Sequence, residues 1–285
     1  MRRLVVFVVL TFAALVASAG ATTTNGFPDN GLHPMVGAIM VPARVQPPTG
    51  PTAYAEVCSG TLIAPRVFLT ASHCTSYLEG LAAQNPPRPS YVTFDETDIE
   101  PYPDGLIRAT PRTNPAYKWP QADVSAMILA TPVTTVPTSG VPTSVGQFDS
   151  LAKRTPLTVV GYGTSEQCIP KSQGAHPCGD EFADAKGPQF PFAGDRGYGI
   201  GTLTTLTPQW LTMSQNEALG NSGACYGDSG GPTFRGAAPN DDKSLVLAVT
   251  STGDAPCYST NVASRTDTPS AQAFFAQLRT EGLLP

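Results

Sequence analysis

The hydrophobic residues of this chain fall into short runs that are separated by glycine, proline, serine and threonine. The runs predict β-strands at Val36–Val41, Cys58–Ile63, Val67–Thr70, Tyr91–Phe94, Val124–Leu129, Leu157–Val160 and Leu245–Thr250. The 27 glycines and 29 prolines are spread along the chain, where they favour turns. Many short strands with turns between them are typical of an all-β sandwich or barrel.

One helix is predicted, near the C-terminal end of the chain. Thr268 can cap its N-terminus, Pro269 suits its first turn, and Gly282 suits its end. Apolar residues recur at i, i+3, i+4 and i+7 and so form a single face, at Ala271, Phe274, Phe275 and Leu278. We expect this helix to pack on the core without a chemical role.

The first 21 residues have the pattern of a secretory signal peptide. A basic start at Arg2 and Arg3 is followed by the apolar run Leu4–Val16 and then by the small residues Ala17–Ala21. The run is shorter than the stretch of about 20 residues that a spanning helix needs, which argues against an uncleaved anchor. We therefore expect a secreted, extracellular protein with no membrane association after signal cleavage.

The composition indicates a globular protein. The expected mature part holds roughly 260 residues, enough for one large or two small domains. Hydrophobic residues make up 41% of the chain and charged residues 14%, which is unlike a disordered protein. The net charge is -5 and the signal segment adds only positive charge, so the acidic mature part argues against a nucleic-acid partner.

An even number of cysteines in an exported chain predicts three disulfides, although the count alone leaves the pairing open. The six are Cys58, Cys74, Cys168, Cys178, Cys225 and Cys257. A zinc site is the competing interpretation, but it needs clustered ligands at short spacing, and no Cys-x-x-Cys segment occurs. We therefore expect neither a metal nor another cofactor.

Three separate segments carry the candidate chemistry. His73 lies in Leu69-Thr70-Ala71-Ser72-His73-Cys74, and Asp123 lies just before the run Val124–Leu129. Ser229 lies in Gly227-Asp228-Ser229-Gly230-Gly231-Pro232, where the glycines allow a tight turn that exposes the hydroxyl.

These residue types fit nucleophilic catalysis. A serine hydroxyl is a poor nucleophile until a nearby base takes its proton. His73 can be that base, because imidazole exchanges protons near neutral pH, and Asp123 can orient it. The backbone N–H groups of Gly227 and Ser229 are the natural donors to a developing oxyanion.

Two further features have plainer interpretations. His33 lies in a His-Pro turn and His176 in a loop bounded by cysteines, and we expect both to be structural or exposed. The acidic run Asp95–Glu100 offers carboxylate oxygens to calcium, but it lacks the spacing of a recognised calcium loop. We interpret the run as solvated surface.

In these contexts and in this order, His73, Asp123 and Ser229 resemble the catalytic triad of the chymotrypsin/trypsin family of serine proteases. The resemblance covers about residues 23–281. It implies an all-β chymotrypsin-like fold, in which two antiparallel six-stranded β-barrels pack together beside a C-terminal α-helix. The division that follows is a signal peptide at 1–21, a first barrel at 22–140, a linker at 141–156, a second barrel at 157–267, and a C-terminal helix and tail at 268–285.

The resemblance also pairs the cysteines. It implies a Cys58–Cys74 bridge beside the catalytic histidine and a Cys225–Cys257 bridge that braces the specificity pocket. Cys168 and Cys178 are left to each other, at a spacing that departs from the family's. Gly161-Tyr162-Gly163 resembles the family's Gly-Trp-Gly.

The resemblance locates a substrate-binding pocket. Trypsin-like members carry an aspartate six residues before the serine, where this chain has Gly223, followed by Ala224. Ser251-Thr252-Gly253 resembles the family's Ser-Trp-Gly strand, with Thr252 in place of tryptophan, and Asn261 occupies a second wall position. We expect an uncharged, apolar or aromatic residue before the scissile bond.

Activation departs from the family pattern, because no Ile-Val-Gly-Gly segment occurs. Thr23-Thr24-Asn25-Gly26-Phe27-Pro28 instead resembles an Ile-Thr-Asn-Gly-Glu-Pro start and lies almost at the signal cut. Our hypothesis is that signal cleavage, with or without trimming, frees the amine that meets Asp228, the expected activation switch.

The expected function is peptide-bond hydrolysis through an acyl-enzyme, with protein or peptide substrates and a protein inhibitor as a further candidate partner. The alternative is a catalytically latent or silent binding protein of the same fold. An esterase of another fold is a third interpretation, since the Gly-x-Ser-x-Gly pattern fits, but no histidine follows Ser229. We expect a monomer.

Overall fold

The computed structural model describes residues 24–285 except residues 172, 173, 175, 180, 181 and 183. The signal peptide expected at residues 1–21 lies outside the described residues. No helix in the described part of the chain combines the length and the apolar character needed to cross a lipid bilayer.

The described residues form thirteen strands and two α-helices. In the first half the strands are β1 (Phe27–Pro28), β2 (Val36–Pro42), β3 (Tyr54–Ala64), β4 (Val67–Thr70), β5 (Ser90–Thr93), β6 (Ile107–Arg112) and β7 (Ser125–Leu129). In the second half they are β8 (Pro156–Gly161), β9 (Gly197–Leu206), β10 (Trp210–Ser214), β11 (Pro232–Arg235), β12 (Ala248–Gly253) and β13 (Thr260–Arg265). The helices are α1 (Ser72–Ala82) and α2 (Pro269–Thr280), with a short 3-10 helix at Glu217–Leu219.

Each half forms a closed antiparallel barrel. The first has the strand order β2-β3-β4-β7-β6-β5, and β2 pairs with β5 to close it. The second has the order β9-β10-β13-β12-β11-β8, and β8 pairs with β9 to close it, while β1 adds to the outer edge of β9. The expected fold of two six-stranded barrels is confirmed. The exact domain boundaries stay a prediction, with β7 ending at Leu129 and β8 beginning at Pro156.

The core continues between the barrels. Buried residues of the first barrel form one cluster with Tyr162, Phe234 and Val249 of the second half and with the apolar face of α2. A smaller cluster, which includes Leu157 and Met213, fills the second barrel. Removal of so much apolar surface from water is the main stabilising contribution to such a fold.

The C-terminal helix begins and ends where it was predicted. The Thr268 hydroxyl accepts a hydrogen bond from the Ala271 N–H at 3.1 Å, and Pro269 occupies the first turn. Gly282 follows the helix with φ +71°, a left-handed conformation that glycine adopts without strain. The buried face is Ala271, Phe274, Phe275 and Leu278.

The sequence pattern missed α1 and six strands, namely β1, β6, β9, β10, β11 and β13. Strand β9 alternates buried and half-buried residues, but its inward positions include Gly197, Gly199 and Gly201, so hydrophobic periodicity is absent. The predicted strand Leu245–Thr250 was also misplaced, because β12 begins at Ala248 and runs to Gly253. Strands built from glycine, serine and threonine depend on their pairing partners more than on their own apolar pattern.

A buried ion network joins the N-terminal segment to the second barrel. The side chain of His33 is fully buried, with Nδ1 against an Asp29 oxygen and Nε2 2.9 Å from Asp241 Oδ2. Arg196 Nε lies 2.8 Å from the other oxygen of Asp29, and Lys243 Nζ lies 2.7 Å from the other oxygen of Asp241. Both ring nitrogens of His33 face carboxylates, so both carry protons and the ring is cationic.

Burial by itself lowers the pKa of His33, but the hydrogen bonds to Asp241 and Asp29 outweigh it and raise that pKa above its usual value. The same contacts hold the pKa values of Asp29 and Asp241 below theirs, against the opposing effect of burial. The expectation that His33 has a structural role therefore fits its surroundings.

We predict that His33→Gln destabilises the protein by about 3–5 kcal/mol, because two buried carboxylates lose the cation between them. Since the folded-state pKa of His33 is raised, its contribution is complete below the unfolded-state pKa of about 6.5 and is lost as pH rises through the folded-state pKa. Urea unfolding of both proteins across pH measures the difference. His176→Gln, at a partly exposed histidine beside Glu166, is the matched control and should cost about 1 kcal/mol or less. A difference that widens with rising pH would contradict the assignment.

Candidate active site

The pairing of two strands brings His73 and Asp123 together. Strand β4 ends at Thr70, just before α1, and pairs with Ser125 at the start of β7. His73 lies in the first turn of α1, and Asp123 lies two residues before β7. Asp123 Oδ1 accepts the His73 backbone N–H at 2.8 Å, and Oδ2 lies 2.8 Å from His73 Nδ1.

Asp123 is fully buried and held from both barrels. Besides its two contacts with His73, its Oδ2 accepts the Ser251 hydroxyl of β12 at 2.6 Å. Three hydrogen bonds thus replace the water that this buried carboxylate has lost. The contact between Asp123 Oδ2 and His73 Nδ1 places a proton on Nδ1, between the two side chains. His73 Nε2 is then the nitrogen that is free to accept a proton.

Trp119 covers the outer side of the His73 ring. The two rings meet edge to face at 5.5 Å and 85°, and Trp119 is 56% exposed. Trp119 lies in a tight turn in which Lys118 and Gln121 exchange backbone hydrogen bonds. Nothing in the local sequence indicated this contact.

Ser229 lies at the tip of a turn that needs its glycines. Gly227 has φ +98° and Gly230 has φ +83°. A Cβ on Gly230 would lie 2.0 Å from Thr70 Oγ1 and 2.6 Å from the Ser59 carbonyl oxygen. The turn is therefore pressed against the first barrel at the strand that leads to His73.

Ser229 and His73 line one cavity between the barrels. Among the described residues, the Ser229 hydroxyl makes no hydrogen bond to His73. Such contacts are often long in enzymes without substrate and tighten when a ligand binds.

The turn also presents two unused donors. The backbone N–H groups of Gly227 and Ser229 find no acceptor among the described residues. Ser59 of β3 fixes their orientation, because its hydroxyl donates to the Gly227 carbonyl at 3.0 Å and its N–H donates to the Ser229 carbonyl at 2.9 Å. The sequence indicated only that Ser59 lies in a strand, so this role was not predicted.

Asp228 points inward, away from the cavity. Its Oδ1 accepts the Gly163 N–H at 2.9 Å and its Oδ2 accepts the Cys225 N–H at 2.8 Å. Burial raises the pKa of Asp228 to about 7, against the opposing effect of these two bonds. A Cβ on Gly161 would lie 2.1 Å from its Oδ1, which explains why the Gly161-Tyr162-Gly163 segment needs glycine there.

The surroundings of Asp228 are short of positive charge. Within the described part of the chain, no lysine, arginine or histidine contacts its carboxylate. Burial, the charge of Asp228 and the charge of Glu100 raise the pKa of Glu56 well above its usual value, and Glu56 Oε1 is buried without a hydrogen-bond partner. Two carboxyl groups therefore lie here, and no cation of the described residues balances them.

The N-terminal segment passes close by. Thr24 is fully buried, and its carbonyl oxygen accepts the Gly223 N–H at 2.9 Å in an isolated β-bridge. The described chain thus begins beside the second barrel, five positions from Asp228 in the partner segment. Thr23 lies outside the described residues.

The cavity has a volume of about 540 Å³. Of the pocket residues expected from the resemblance, the structure brings Ala224, Ser251, Thr252, Gly253 and Asn261 to its lining. Gly223 is not among the lining residues.

The side chain of Gln215 occupies the space beside Gly223. A Cβ on Gly223 would lie 2.2 Å from Gln215 Oε1, and this oxygen accepts the Ala224 N–H at 3.0 Å. Gln215 therefore packs behind the cavity wall at Gly223 and Ala224, a role that no local sequence pattern indicated.

One acidic residue, Asp254, lines the cavity. Burial alone would raise its pKa, but the backbone N–H groups of Thr260, Tyr258 and Ser259 hold it below the usual value. Both carboxylate oxygens accept from that loop at 2.6–3.1 Å. The charge of Asp254 thus stabilises its own loop.

Three disulfides are present in the described residues, and they are the pairs that the resemblance implied: Cys58–Cys74, Cys168–Cys178 and Cys225–Cys257. Cys58, His73 and Cys74 offer ligand atoms within 4.8 Å of one another. Both sulfurs are joined in the disulfide, so they are not free thiolates for a metal.

Comparisons with known proteins agree with this architecture. A family model described as Trypsin matches residues 36–176, which include His73 and Asp123. No curated protein matches the chain. A solved structure titled "HL collagenase structure" is 15% identical, with a TM-score of 0.60, and the alignment covers 92% of this chain and 99% of that one. At this identity the structural likeness shows the fold.

The two-barrel fold, together with the match to the Trypsin family model, identifies a serine protease. The chain belongs to the chymotrypsin/trypsin-like serine protease family.

We predict that Gly230→Ala destabilises the protein by at least about 2 kcal/mol, because it forces a strained φ and collides with the first barrel. The matched control is Gly80→Ala, on the exposed side of α1, where a Cβ would have no neighbour within 4 Å. That change should stabilise by about 0.5–1 kcal/mol. Urea unfolding with the disulfides intact measures both, and equal effects would contradict the close packing of the turn.

Proposed function

We propose that this protein is a secreted serine endopeptidase in which His73, Asp123 and Ser229 form the catalytic triad. The observation that carries the proposal is the buried Asp123–His73 pair, which faces a cavity shared with Ser229. The unused N–H groups of Gly227 and Ser229 support an oxyanion hole at the same place. Each group required for acyl transfer is therefore present around one cavity.

In the proposed reaction, Ser229 Oγ attacks the carbonyl carbon of the scissile peptide bond while its proton passes to His73 Nε2. Asp123 stabilises the imidazolium that forms, and the N–H groups of Gly227 and Ser229 stabilise the oxyanion. His73 then gives the proton to the leaving amine as the C–N bond breaks. Water, deprotonated by His73, attacks the acyl-enzyme and releases the carboxylic acid and free Ser229.

The lining of the cavity supports a preference for substrates with an uncharged side chain before the scissile bond. Gly223 supplies no carboxylate, and Gln215 fills the space beside it. The Asp254 carboxylate accepts hydrogen bonds from three backbone N–H groups of its own loop. A lysine or arginine side chain would therefore lack the ion-pair partner that trypsin-like members offer at the position of Gly223, at a cost in desolvation.

Export is supported by the residue pattern at 1–21 and by three disulfides, which persist in oxidising compartments. We further propose that signal cleavage frees an amine close to Thr24 that balances Asp228. The uncompensated burial of Asp228 and the bridge between Thr24 and Gly223 support this route.

A latent or silent binding protein is the second candidate, because no cation among the described residues meets Asp228. The esterase interpretation needs a different fold, an α/β sheet with the histidine last in the chain. The two-barrel fold excludes it.

We predict that the secreted wild-type protein cleaves a mixed peptide library at neutral pH and that Ser229→Ala does not. Mass spectrometry of the products reads the cleavage sites. Serine is a small polar residue and alanine fits the same turn, so the variant should fold normally, which circular dichroism checks. Cleavage by Ser229→Ala, or its absence from both proteins after N-terminal processing, would contradict the proposal.

We predict that the secreted protein begins within a few residues of Thr24, and that extra residues placed before this start lower kcat/KM by about tenfold or more. The physical reason is that an extended chain cannot place an amine beside buried Asp228, which then stays uncompensated. N-terminal sequencing and peptide hydrolysis measure the two effects. A mature start well downstream of Thr24, or full activity of the extended form, would contradict this route.

A further inference from the structure

A hydrogen bond joins two segments of the cavity wall. Tyr226 follows Cys225 in one segment of the cavity wall, and its hydroxyl donates to the Ala255 carbonyl of a second wall segment at 3.1 Å. Both residues line the cavity, and Tyr226 is 54% exposed. The Cys225–Cys257 disulfide links the same two walls. The contact is absent from any local sequence pattern, since 29 residues separate its partners.

The wall that carries Tyr226 is held in place from outside. The Tyr226 carbonyl accepts the Thr164 N–H at 2.7 Å. Its ring meets Phe190 edge to face at 5.0 Å and 88°. The backbone and the ring of Tyr226 therefore both have fixed neighbours, although the side chain is exposed.

The wall that carries Ala255 is held equally firmly. Asp254 binds the N–H groups of Tyr258, Ser259 and Thr260, which closes the loop on itself. The Pro256 carbonyl accepts the Gln167 N–H at 3.0 Å. The acceptor for Tyr226 is thus a carbonyl of a rigid loop.

Both walls are anchored to the same part of the chain. The Tyr258 hydroxyl donates to the Gln167 carbonyl at 2.8 Å, and the Tyr258 ring stacks on His176 at 3.9 Å. Gln167 precedes Cys168, whose disulfide to Cys178 has the spacing that departs from the family. The two wall segments that the Tyr226 bond joins are therefore both held in place.

We propose that Tyr226 determines substrate specificity: its bond to the Ala255 carbonyl narrows the cavity and favours a compact uncharged side chain over a broad aromatic one. The inference rests on the proposed function, because it concerns the residue before the bond that Ser229 attacks. A compact side chain passes beneath the intact bond. A broad ring must first break the bond, and the free energy needed to break it weakens substrate binding.

The test compares wild type with Tyr226→Phe on two peptide anilides that differ only in alanine or phenylalanine before the scissile bond. Tyr226→Phe keeps the ring and removes the hydroxyl. We expect KM for the phenylalanine peptide to fall about fivefold, which corresponds to the about 1 kcal/mol of one net hydrogen bond. We expect kcat for both peptides and KM for the alanine peptide to stay unchanged. Tyr226→Ala, which also removes the ring, should shift the preference in the same direction and at least as far.

The matched control is Tyr102→Phe, at a tyrosine that is 50% exposed and lies outside the cavity lining. It should leave both peptides unaffected. All rates are expressed per active site, counted with a small fluorophosphonate that reacts with an activated serine. Counting sites separates a change in specificity from a loss of folded protein.

The possible outcomes separate a failure of the proposed function from a failure of the role of Tyr226. A wild-type protein that does not react with the fluorophosphonate and cleaves neither peptide would overturn the proposed function itself. An unchanged preference in Tyr226→Phe at full site count would overturn the role of Tyr226 alone. An equal change for both peptides, or a Tyr226→Phe protein without countable sites, would also overturn it, because the bond would then be merely structural.

Discussion

The Asp123 carboxylate is the charge around which the cleft is organised. It lies fully buried at the end of a pair of strands in the first barrel, yet one of its bonds comes from Ser251 of the second. A buried carboxylate is stable only when hydrogen bonds replace the water that it has lost. The requirement fixes the start of α1, the orientation of His73 and the position of β12 relative to the first barrel. The site and the packing of the barrels thus depend on the same group.

The serine turn is fitted to the first barrel by backbone contacts. Ser59 holds the carbonyls on both sides of Asp228, and Gly230 leaves room for Thr70. These contacts aim two N–H groups at the cavity and turn the Asp228 carboxylate inward. Fixed donors that need no rearrangement are the most effective way to stabilise a developing charge. This arrangement buries the Asp228 carboxylate beside Glu56. A cation that binds next to these two groups would therefore change the local charge balance.

The cavity walls depart from the family pattern in their composition. Thr252 stands where the family has tryptophan, and Gln215 fills the space beside Gly223. Tyr226 and the loop around Asp254 supply the bulk and rigidity of the wall instead. The disulfide-closed stretch that includes Cys168 and Cys178 supports both walls through Gln167 and its neighbours. The cavity walls are therefore built from side chains and backbone groups that are distant in sequence.

Local sequence determined the elements whose signals are short-range. The C-terminal helix followed from its Thr268 cap and its apolar face, and the apolar strands of the first barrel followed from their runs. The serine turn and the Gly161-Tyr162-Gly163 segment were readable because chemistry and close packing demand glycine at those positions. His73 and Asp123 could be identified only through their motif contexts and the order of the three segments.

The tertiary structure decided what no local pattern encodes. Strands such as β9 and the helix α1 have weak apolar periodicity, and they form because paired strands, a disulfide and buried bonds hold them. Ser59, Gln215, Trp119 and the bond from Tyr226 to Ala255 acquire their roles from neighbours far away in the chain. A side chain's own sequence context fixes its chemistry and its local conformation. Its partners, and hence its burial and function, depend on which distant segments the closing of the two barrels brings to it.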